Sequence, residues 1–129
     1  IVLVTGVQTC ALPICDLLPL LRRRYPEMFS GEHMREIACY PGWLELLDEL
    51  CRSLTNYLNE NPDVPPVMVR QIKEKFGGLR LYYEGGDGRC RAAVDNAQEA
   101  SLSVCEVCGM PGQLVGTRWV SVRCDEHTN

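Results

Sequence analysis

Four residues near the C-terminus have the types and the spacing of metal ligands. Cys105 and Cys108 form a C-x2-C pair, and Cys124 and His127 form a C-x2-H pair after fifteen intervening residues. Two residues between ligands allow a tight turn to direct both side chains at one point, and thiolates and imidazole are ligands that Zn²⁺ accepts. Because protein side chains take all four positions, the pattern predicts one structural Zn²⁺ in a closed site. The alternative is that these cysteines are ordinary buried thiols, or that two of them form a disulfide and the others are free. This alternative leaves the two matched spacings unexplained.

Length, charge and cysteine usage limit the class of protein. The 129 residues suffice for one domain, and 46% hydrophobic with 23% charged residues is typical of soluble globular proteins. The net charge of −4 argues against a protein whose whole surface binds nucleic acid, but it is compatible with a local basic patch. Cys39, Cys51 and Cys90 lie in apolar or helical contexts, where free thiols pack as small hydrophobic groups. Cysteine usage therefore favours a reducing cytoplasm, and no apolar run reaches the roughly 18 residues of a membrane span.

The first fifteen residues are predicted to be foreign to the rest of the chain. Residues 4–14 resemble the conceptual translation of a sequencing adapter, and no basic region precedes the apolar start as it would in a signal peptide. The expected organisation is a non-native segment at 1–15, followed by a single α+β domain at 16–129 that includes a zinc-binding subdomain at 100–129.

Hydrophobic periodicity predicts an α+β fold in which helices pack on a small antiparallel hairpin or sheet. The clearest helix contains Trp43, Leu47, Leu50 and Leu54 at steps of three and four. The ligand pairs flank a short second hairpin, so the C-terminal subdomain is expected to resemble a zinc ribbon. The predicted elements are a helix capped by Asp16 and ended by Pro26, a loop at 27–38, a helix at 42–59, a hairpin at 67–83, a helix at 89–103 capped by Asp87, and a hairpin at 113–123 turning at Gly116-Thr117.

Residues 67–83 have the alternating pattern of a β-hairpin, and Gly77-Gly78 is the predicted two-residue turn. Such a turn places Phe76 opposite Leu79 on an apolar face and Lys73 opposite Tyr82 on a basic face. Cations can contact phosphate or acidic groups, and an aromatic ring can stack on a base. The candidate partner-binding residues are Arg70, Lys73, Lys75, Arg80 and Tyr82.

Two features of this hairpin stay open at the level of the sequence. Glu74 falls on the apolar face, so its carboxylate needs either a bulge that redirects it or a cation that pairs with it. The first arm also has Met68, Ile72 and Phe76 at helical spacing, which makes a helix the alternative to a strand. We expect the strand.

Three segments together resemble a family of small uncharacterised proteins that are common in phages and prophages. They cover residues 42–51, 71–82 and 101–109, and include the run Lys-Glu-Lys-Phe-Gly-Gly-Leu-Arg at 73–80 and the C-x2-C-Gly motif. The likeness extends over about residues 16–127 and brings no established reaction with it. The resemblance implies a context, because phage proteins of this size often bind and disable a host protein, and inhibitors of CRISPR nucleases are among them.

The leading functional prediction is a non-enzymatic, zinc-stabilised binding protein of phage or mobile-element type in the cytoplasm of a bacterial host. Its partner would be a host protein, and in the most specific form a CRISPR-associated (Cas) nuclease whose basic channel attracts an acidic chain. The alternative is a zinc-ribbon module that binds nucleic acid through the basic face of residues 67–83. An enzyme is disfavoured, because no Ser-His-Asp, metal-hydrolase or phosphate-binding pattern appears in the sequence.

Overall fold

The computed structural model describes residues 17–31, 34 and 37–128. The predicted non-native segment at 1–15 and the predicted N-cap Asp16 lie outside these residues. Within them the fold is α+β, as expected, and short 3-10 turns lie at Pro41–Trp43, Ser101–Ser103 and Asp125–His127. The helices are α1 (Leu18–Arg24), α2 (Leu44–Glu60) and α3 (Gly88–Ala100), and the strands are β1 (Ile37–Ala38), β2 (Met68–Lys75), β3 (Gly78–Glu84), β4 (Gln113–Val115) and β5 (Ser121–Arg123).

Helix α2 supplies the centre of the core. Its buried side chains include Leu47, Leu50 and Leu54, which share one face because they recur every three or four residues. Trp43 precedes the helix and is fully buried. The helix contacts α3, and α3 in turn contacts β3.

The main sheet has the order β1-β2-β3 and contains one strand that the sequence did not predict. Residues 27–38 were expected to form a loop, but Ile37 pairs with Ile72 and Ala38 with Lys73 in a parallel ladder along the edge of β2. Two residues are too few to carry an alternating pattern, so strand formation here depends on the neighbouring edge. Strands β2 and β3 then form the predicted antiparallel hairpin, and the helical alternative for its first arm is wrong.

The turn of this hairpin lies one residue earlier than predicted. Lys75 pairs with Gly78, so Phe76 and Gly77 are the turn residues, with φ of 54° and 85°. Positive φ at both central positions is the requirement of a type I′ turn, whose twist matches that of paired strands. Relative to the prediction, each residue of β2 pairs with a residue two positions earlier in β3, so Lys73 lies opposite Arg80 instead of Tyr82. Because side chains alternate with a period of two, this shift leaves the strand residues on their predicted faces. Only Phe76 leaves the apolar face, for an exposed place on the turn.

The two expected explanations for Glu74 are both wrong. Its carboxylate accepts a hydrogen bond of 2.7 Å from the backbone N–H of Gly77 and so stabilises the turn. The irregularity in the ladder lies instead between Val69 and Gln71, and the side chain of Arg70 there pairs with Glu84.

Side chains from helix α3 and from the 3-10 turn that follows it accept hydrogen bonds from the free edge of β3. Leu79 N–H donates to Ser101 Oγ at 2.9 Å, and Leu81 N–H donates to Gln98 Oε1 at 3.0 Å. These bonds satisfy donors that an edge strand would otherwise present to another chain. Asp87 is the N-cap of α3, as predicted, because its carboxylate accepts hydrogen bonds from the N–H groups of Arg89 and Cys90.

Candidate metal centre

The four predicted ligands meet at one point. The Sγ atoms of Cys105, Cys108 and Cys124 and a ring nitrogen of His127 all lie within 4.8 Å of one another. Cys108 Sγ is 3.7 Å from Cys124 Sγ, while His127 Nδ1 is 3.7 Å from Cys105 Sγ and 3.1 Å from Cys124 Sγ. Tetrahedral bonds of about 2.3 Å to sulfur and 2.1 Å to nitrogen place ligand atoms about 3.5 to 3.8 Å apart. The donor set and its spacing therefore fit one metal ion.

Two tight turns direct the ligands inward. Gly109, at φ 84°, donates its N–H to the carbonyl of Cys105 at 2.9 Å, and Cys105 N–H donates to the carbonyl of Met110 at 2.7 Å. The second pair follows β5, where His127 N–H donates to the carbonyl of Cys124 at 3.1 Å. Strands β4 and β5 form the predicted C-terminal hairpin, although β5 begins at Ser121 and is shorter than expected.

The thiols of the cluster differ in how readily they ionise. Burial raises the pKa of Cys105, but backbone hydrogen bonds, including one from Cys108, outweigh burial and lower it to about 6. Burial, together with hydrogen bonds to the neighbouring Cys124 and Cys105 thiols, raises the pKa of Cys108 to about 11, although a backbone hydrogen bond from Met110 opposes the shift. Three thiolates in one cluster repel one another, and a bound dication would remove that penalty.

A largely buried ion pair lies next to the predicted metal ligands. Glu106, between the first two ligand cysteines, is only 4% exposed, and its Oε1 lies 3.0 Å from Nη1 of Arg123. Burial raises the pKa of Glu106, and the Arg123 guanidinium opposes that shift. Arg123 also lies over the ring of Tyr40, 5.5 Å from its centroid. The sequence alone did not reveal this pair, and its only local signal is a charged residue between the two cysteines of the C-x2-C motif.

The other cysteines of the described chain pack as small hydrophobic groups, as expected. Cys51 and Cys90 are buried in the core, and Cys39 is partly buried against it. Burial raises the pKa of Cys39 and of Cys51 to about 12, so both thiols stay protonated at neutral pH. These residues lie outside the ligand cluster.

Four of the five candidate partner-binding residues share a face of the β2–β3 hairpin. Lys73 pairs across the ladder with Arg80, and its Nζ lies 5.5 Å from the ring centroid of Tyr82. Lys75 lies on the same face by strand alternation and has its Nζ 5.7 Å from the ring of Phe76. Arg70 lies at the irregularity of the ladder, and its side chain pairs with Glu84.

Large exposed hydrophobic side chains concentrate around the two hairpins. Among the described residues they are Tyr40, Phe76, Tyr82, Met110, Leu114 and Trp119, and Trp119 is 88% exposed. The hairpins touch, because a Cβ atom added to Gly77 would lie 2.5 Å from Cδ2 of Leu114. We call the exposed residues of these two hairpins the hairpin surface and define it by Lys73, Lys75, Phe76, Arg80, Tyr82, Leu114 and Trp119. Sequence reasoning missed its apolar part, since exposure of Phe76 and Trp119 follows from the tertiary fold.

Charge is also distributed unevenly along the chain. Residues 68–84 and 113–123 contain six basic and two acidic residues, a net charge of +4, whereas the remainder contains seven basic and fifteen acidic residues, a net charge of −8. The hairpin surface is therefore the basic part of an acidic protein.

Fold and site together define a small α+β protein whose Cys3His cluster could hold a metal ion. No family model matches the chain, and neither the curated proteins nor the solved structures include a match to it. None of the described helices combines the length and the apolar character needed to cross a membrane.

Proposed function

We propose that this protein is a zinc-stabilised, non-enzymatic binding protein that docks on a protein partner through the hairpin surface. Zinc is the metal that a closed set of three thiolates and one imidazole favours, because these ligands are soft and the geometry is tetrahedral. Full coordination by protein leaves no open position for a substrate, so the ion has a structural role. The subdomain that zinc holds together carries Trp119 and Leu114, which form half of the apolar part of the surface.

The observation that carries this proposal is the conformation and exposure of Phe76. This bulky residue occupies a positive φ of 54°, and yet 74% of it is exposed. A left-handed conformation costs a residue with a Cβ roughly 1 kcal/mol or more, and here little intramolecular burial offsets that cost. Asn or Gly would form the same turn with less strain. A large aromatic residue at such a position is explained by contact with a partner.

A protein partner is favoured by the mixture of groups on the surface. Aromatic residues and arginine dominate the binding energy of protein interfaces, and Trp119, Tyr82 and Arg80 belong to these types. The basic hairpin surface borders an acidic remainder, and two signs of charge suit a protein surface better than a uniform phosphate backbone. We expect the partner to present acidic residues around an apolar pocket.

The test compares the wild type with two variants in a quantitative binding experiment. Tagged wild-type protein, Trp119→Ala and the triple variant Lys73→Glu/Lys75→Glu/Arg80→Glu are incubated with a bacterial lysate, and the captured proteins are quantified. We expect at least one protein to be captured by the wild type and lost with both variants, and to re-form a stoichiometric complex when purified. Cys39→Ser is the control that should leave capture unchanged. If the wild type and Trp119→Ala capture the same proteins in the same amounts, the hairpin surface is not a docking site for protein.

A second candidate is single-stranded nucleic acid, and the cation–aromatic pairs favour it. Lys73 lies beside Tyr82 and Lys75 beside Phe76, so phosphate-binding and base-stacking groups alternate on one surface. Fluorescence anisotropy with a labelled oligo-dT strand tests this function. Binding that weakens with salt by about 0.7 in log K per log salt for each neutralised phosphate, and disappears in the triple variant, would establish the second candidate instead.

The phage context and the inhibition of a Cas nuclease stay predictions that depend on the sequence resemblance alone. The test of nuclease inhibition is a DNA-cleavage assay in which purified protein is titrated against purified Cas nucleases. The prediction requires stoichiometric inhibition by the wild type that Trp119→Ala relieves.

A further inference from the structure

The short turn at Pro41–Trp43 contacts the loop of the first two ligand cysteines directly, although more than sixty residues separate them in sequence. Gly42 N–H donates to the carbonyl of Glu106 at 2.8 Å. Trp43 Nε1 donates to the carbonyl of Val104 at 3.0 Å. The two acceptors immediately precede and follow Cys105, so both backbone neighbours of this ligand are held from outside the zinc subdomain.

The contact leaves no room for a side chain at position 42. A Cβ atom on Gly42 would overlap the carbonyl oxygens of both Cys105 and Glu106. The carbonyl oxygen of Gly42 also lies 3.0 Å from the position that a Cβ atom on Gly109 would occupy. The turn therefore fits between the two ends of the ligand loop, and a single methyl group would displace it.

The core holds this turn in place from behind. Trp43 is fully buried and belongs to the same cluster as Leu47 of α2. Cys105 is itself fully buried, in contrast to Cys108, which is exposed. The fold thus defines the position of the Cys105 sulfur through α2 and Trp43, whereas Cys108 and the second pair depend on local turns.

We propose that Gly42 and Trp43 are positioning residues of the metal centre, which hold the Cys105 segment in its ligand geometry and thereby set the affinity for zinc. The inference rests on the proposed binding of Zn²⁺ by the Cys3His cluster. A ligand loop that is already ordered loses less conformational freedom when the ion binds, so more of the metal–ligand energy appears as affinity. Loss of a residue that orients a ligand typically weakens metal binding by about 10- to 100-fold.

The test measures zinc affinity by competition with a chromophoric chelator under reducing conditions. Gly42→Ala adds the methyl group that the contact excludes, and Trp43→Phe removes only the Nε1 donor while keeping an aromatic ring in the core. We expect the affinity to fall by about tenfold or more in both. Leu54→Ala is the matched control, because it destabilises the core from a buried position in α2 without contacting the ligand loop, and its affinity should stay near that of the wild type. Co²⁺ substitution adds a second readout, since a displaced Cys105 changes the intensity of the visible absorption bands of a tetrahedral thiolate site.

Each outcome has a distinct meaning. Wild-type protein that binds neither Zn²⁺ nor Co²⁺ would overturn the proposed metal site together with this inference. Wild-type protein that binds zinc, with Gly42→Ala and Trp43→Phe equal to it, would overturn the positioning role alone. An equal loss of affinity in Leu54→Ala would also overturn it, because global stability would then account for the effect. If Gly42→Ala does not fold, Trp43→Phe decides.

Discussion

Removal of the metal is expected to unfold the C-terminal part of the chain and leave the helical core folded. Residues 105–128 contain a hairpin with two strands of only three residues each, and such a hairpin is marginal in water by itself. Without the ion, the Cys-Cys and Cys-His pairs lose the bond that joins them. The same effect is expected from Cys124→Ser, which deletes one ligand.

The extent of unfolding depends on the other interactions that stabilise residues 105–128. Val122 is fully buried, and burial of a valine side chain contributes about 1.5 to 3 kcal/mol. The hydrogen bonds from Gly42 and Trp43 contribute about 1 kcal/mol each. Structural zinc sites bind their ion with an apparent free energy of about 10 to 16 kcal/mol at neutral pH. A bound zinc ion would therefore be the largest single contribution to the order of residues 105–128.

Hydrogen exchange measured before and after chelation tests this prediction. The N–H groups of Cys105, Glu106 and His127 all donate within the subdomain and should exchange fast once zinc is removed. The helical N–H groups of the buried residues Leu50 and Leu54 in α2 should stay protected. Cys39→Ser should behave as the wild type. If the three C-terminal N–H groups keep their protection in protein freed of metal, the hairpin is stable by packing alone and the reasoning is wrong.

Three further predictions concern the core and the turn. Asp48→Asn should destabilise the protein by about 1 to 2 kcal/mol in chemical denaturation, because Asp48 accepts hydrogen bonds from Arg24 and Tyr25. Ser101→Ala should cost about 1 to 3 kcal/mol, since it leaves the buried N–H of Leu79 without an acceptor. Phe76→Asn should raise the melting temperature by roughly 4 °C, which corresponds to relief of about 1 kcal/mol of turn strain, and should weaken partner binding.

Each of these variants has a matched control. Glu49→Gln removes an exposed carboxylate from α2 next to Asp48, and Ser103→Ala removes an exposed hydroxyl near Ser101; neither should change stability measurably. Phe76→Ala keeps a Cβ atom at positive φ, so it should lose binding without the gain in melting temperature. A destabilised Phe76→Asn would show that the ring stabilises the turn and would remove the main argument for a docking surface.

Asp48 also makes the stability depend on pH. Burial raises the pKa of its carboxyl, but hydrogen bonds from Arg24, Tyr25 and Arg52 outweigh burial and lower the pKa below the usual value. A carboxyl with a lowered folded-state pKa stabilises the fold above its unfolded-state pKa, about 3.9, and this contribution is lost as the pH falls through the folded-state pKa. Acid titration of Asp48→Asn should show a smaller loss of stability below about pH 4 than the wild type.

The sequence by itself determined the features that depend on close neighbours. The sequence predicted the four candidate ligands because a spacing of two residues within each pair corresponds to a local turn. It predicted α2 because the spacing of the apolar residues matches one face of a helix. The cap at Asp87 and the existence of the β2–β3 hairpin are local in the same sense. Strand alternation also predicted the basic face correctly, since a shift by two positions preserves the face of every side chain.

Tertiary structure decided what depends on contacts distant in sequence. The turn lies at Phe76-Gly77 because the pairing of whole strands and the hydrogen bond that the Glu74 carboxylate accepts from Gly77 N–H outweigh the local preference for two glycines. Strand β1 exists only because β2 offers an open edge to Ile37. The contact of Gly42 with the Cys105 loop joins segments more than sixty residues apart, and no local pattern encodes such an approach. A sequence shows which side chains can bind a metal or a partner, whereas their relative positions depend on a balance of packing energies over the whole core.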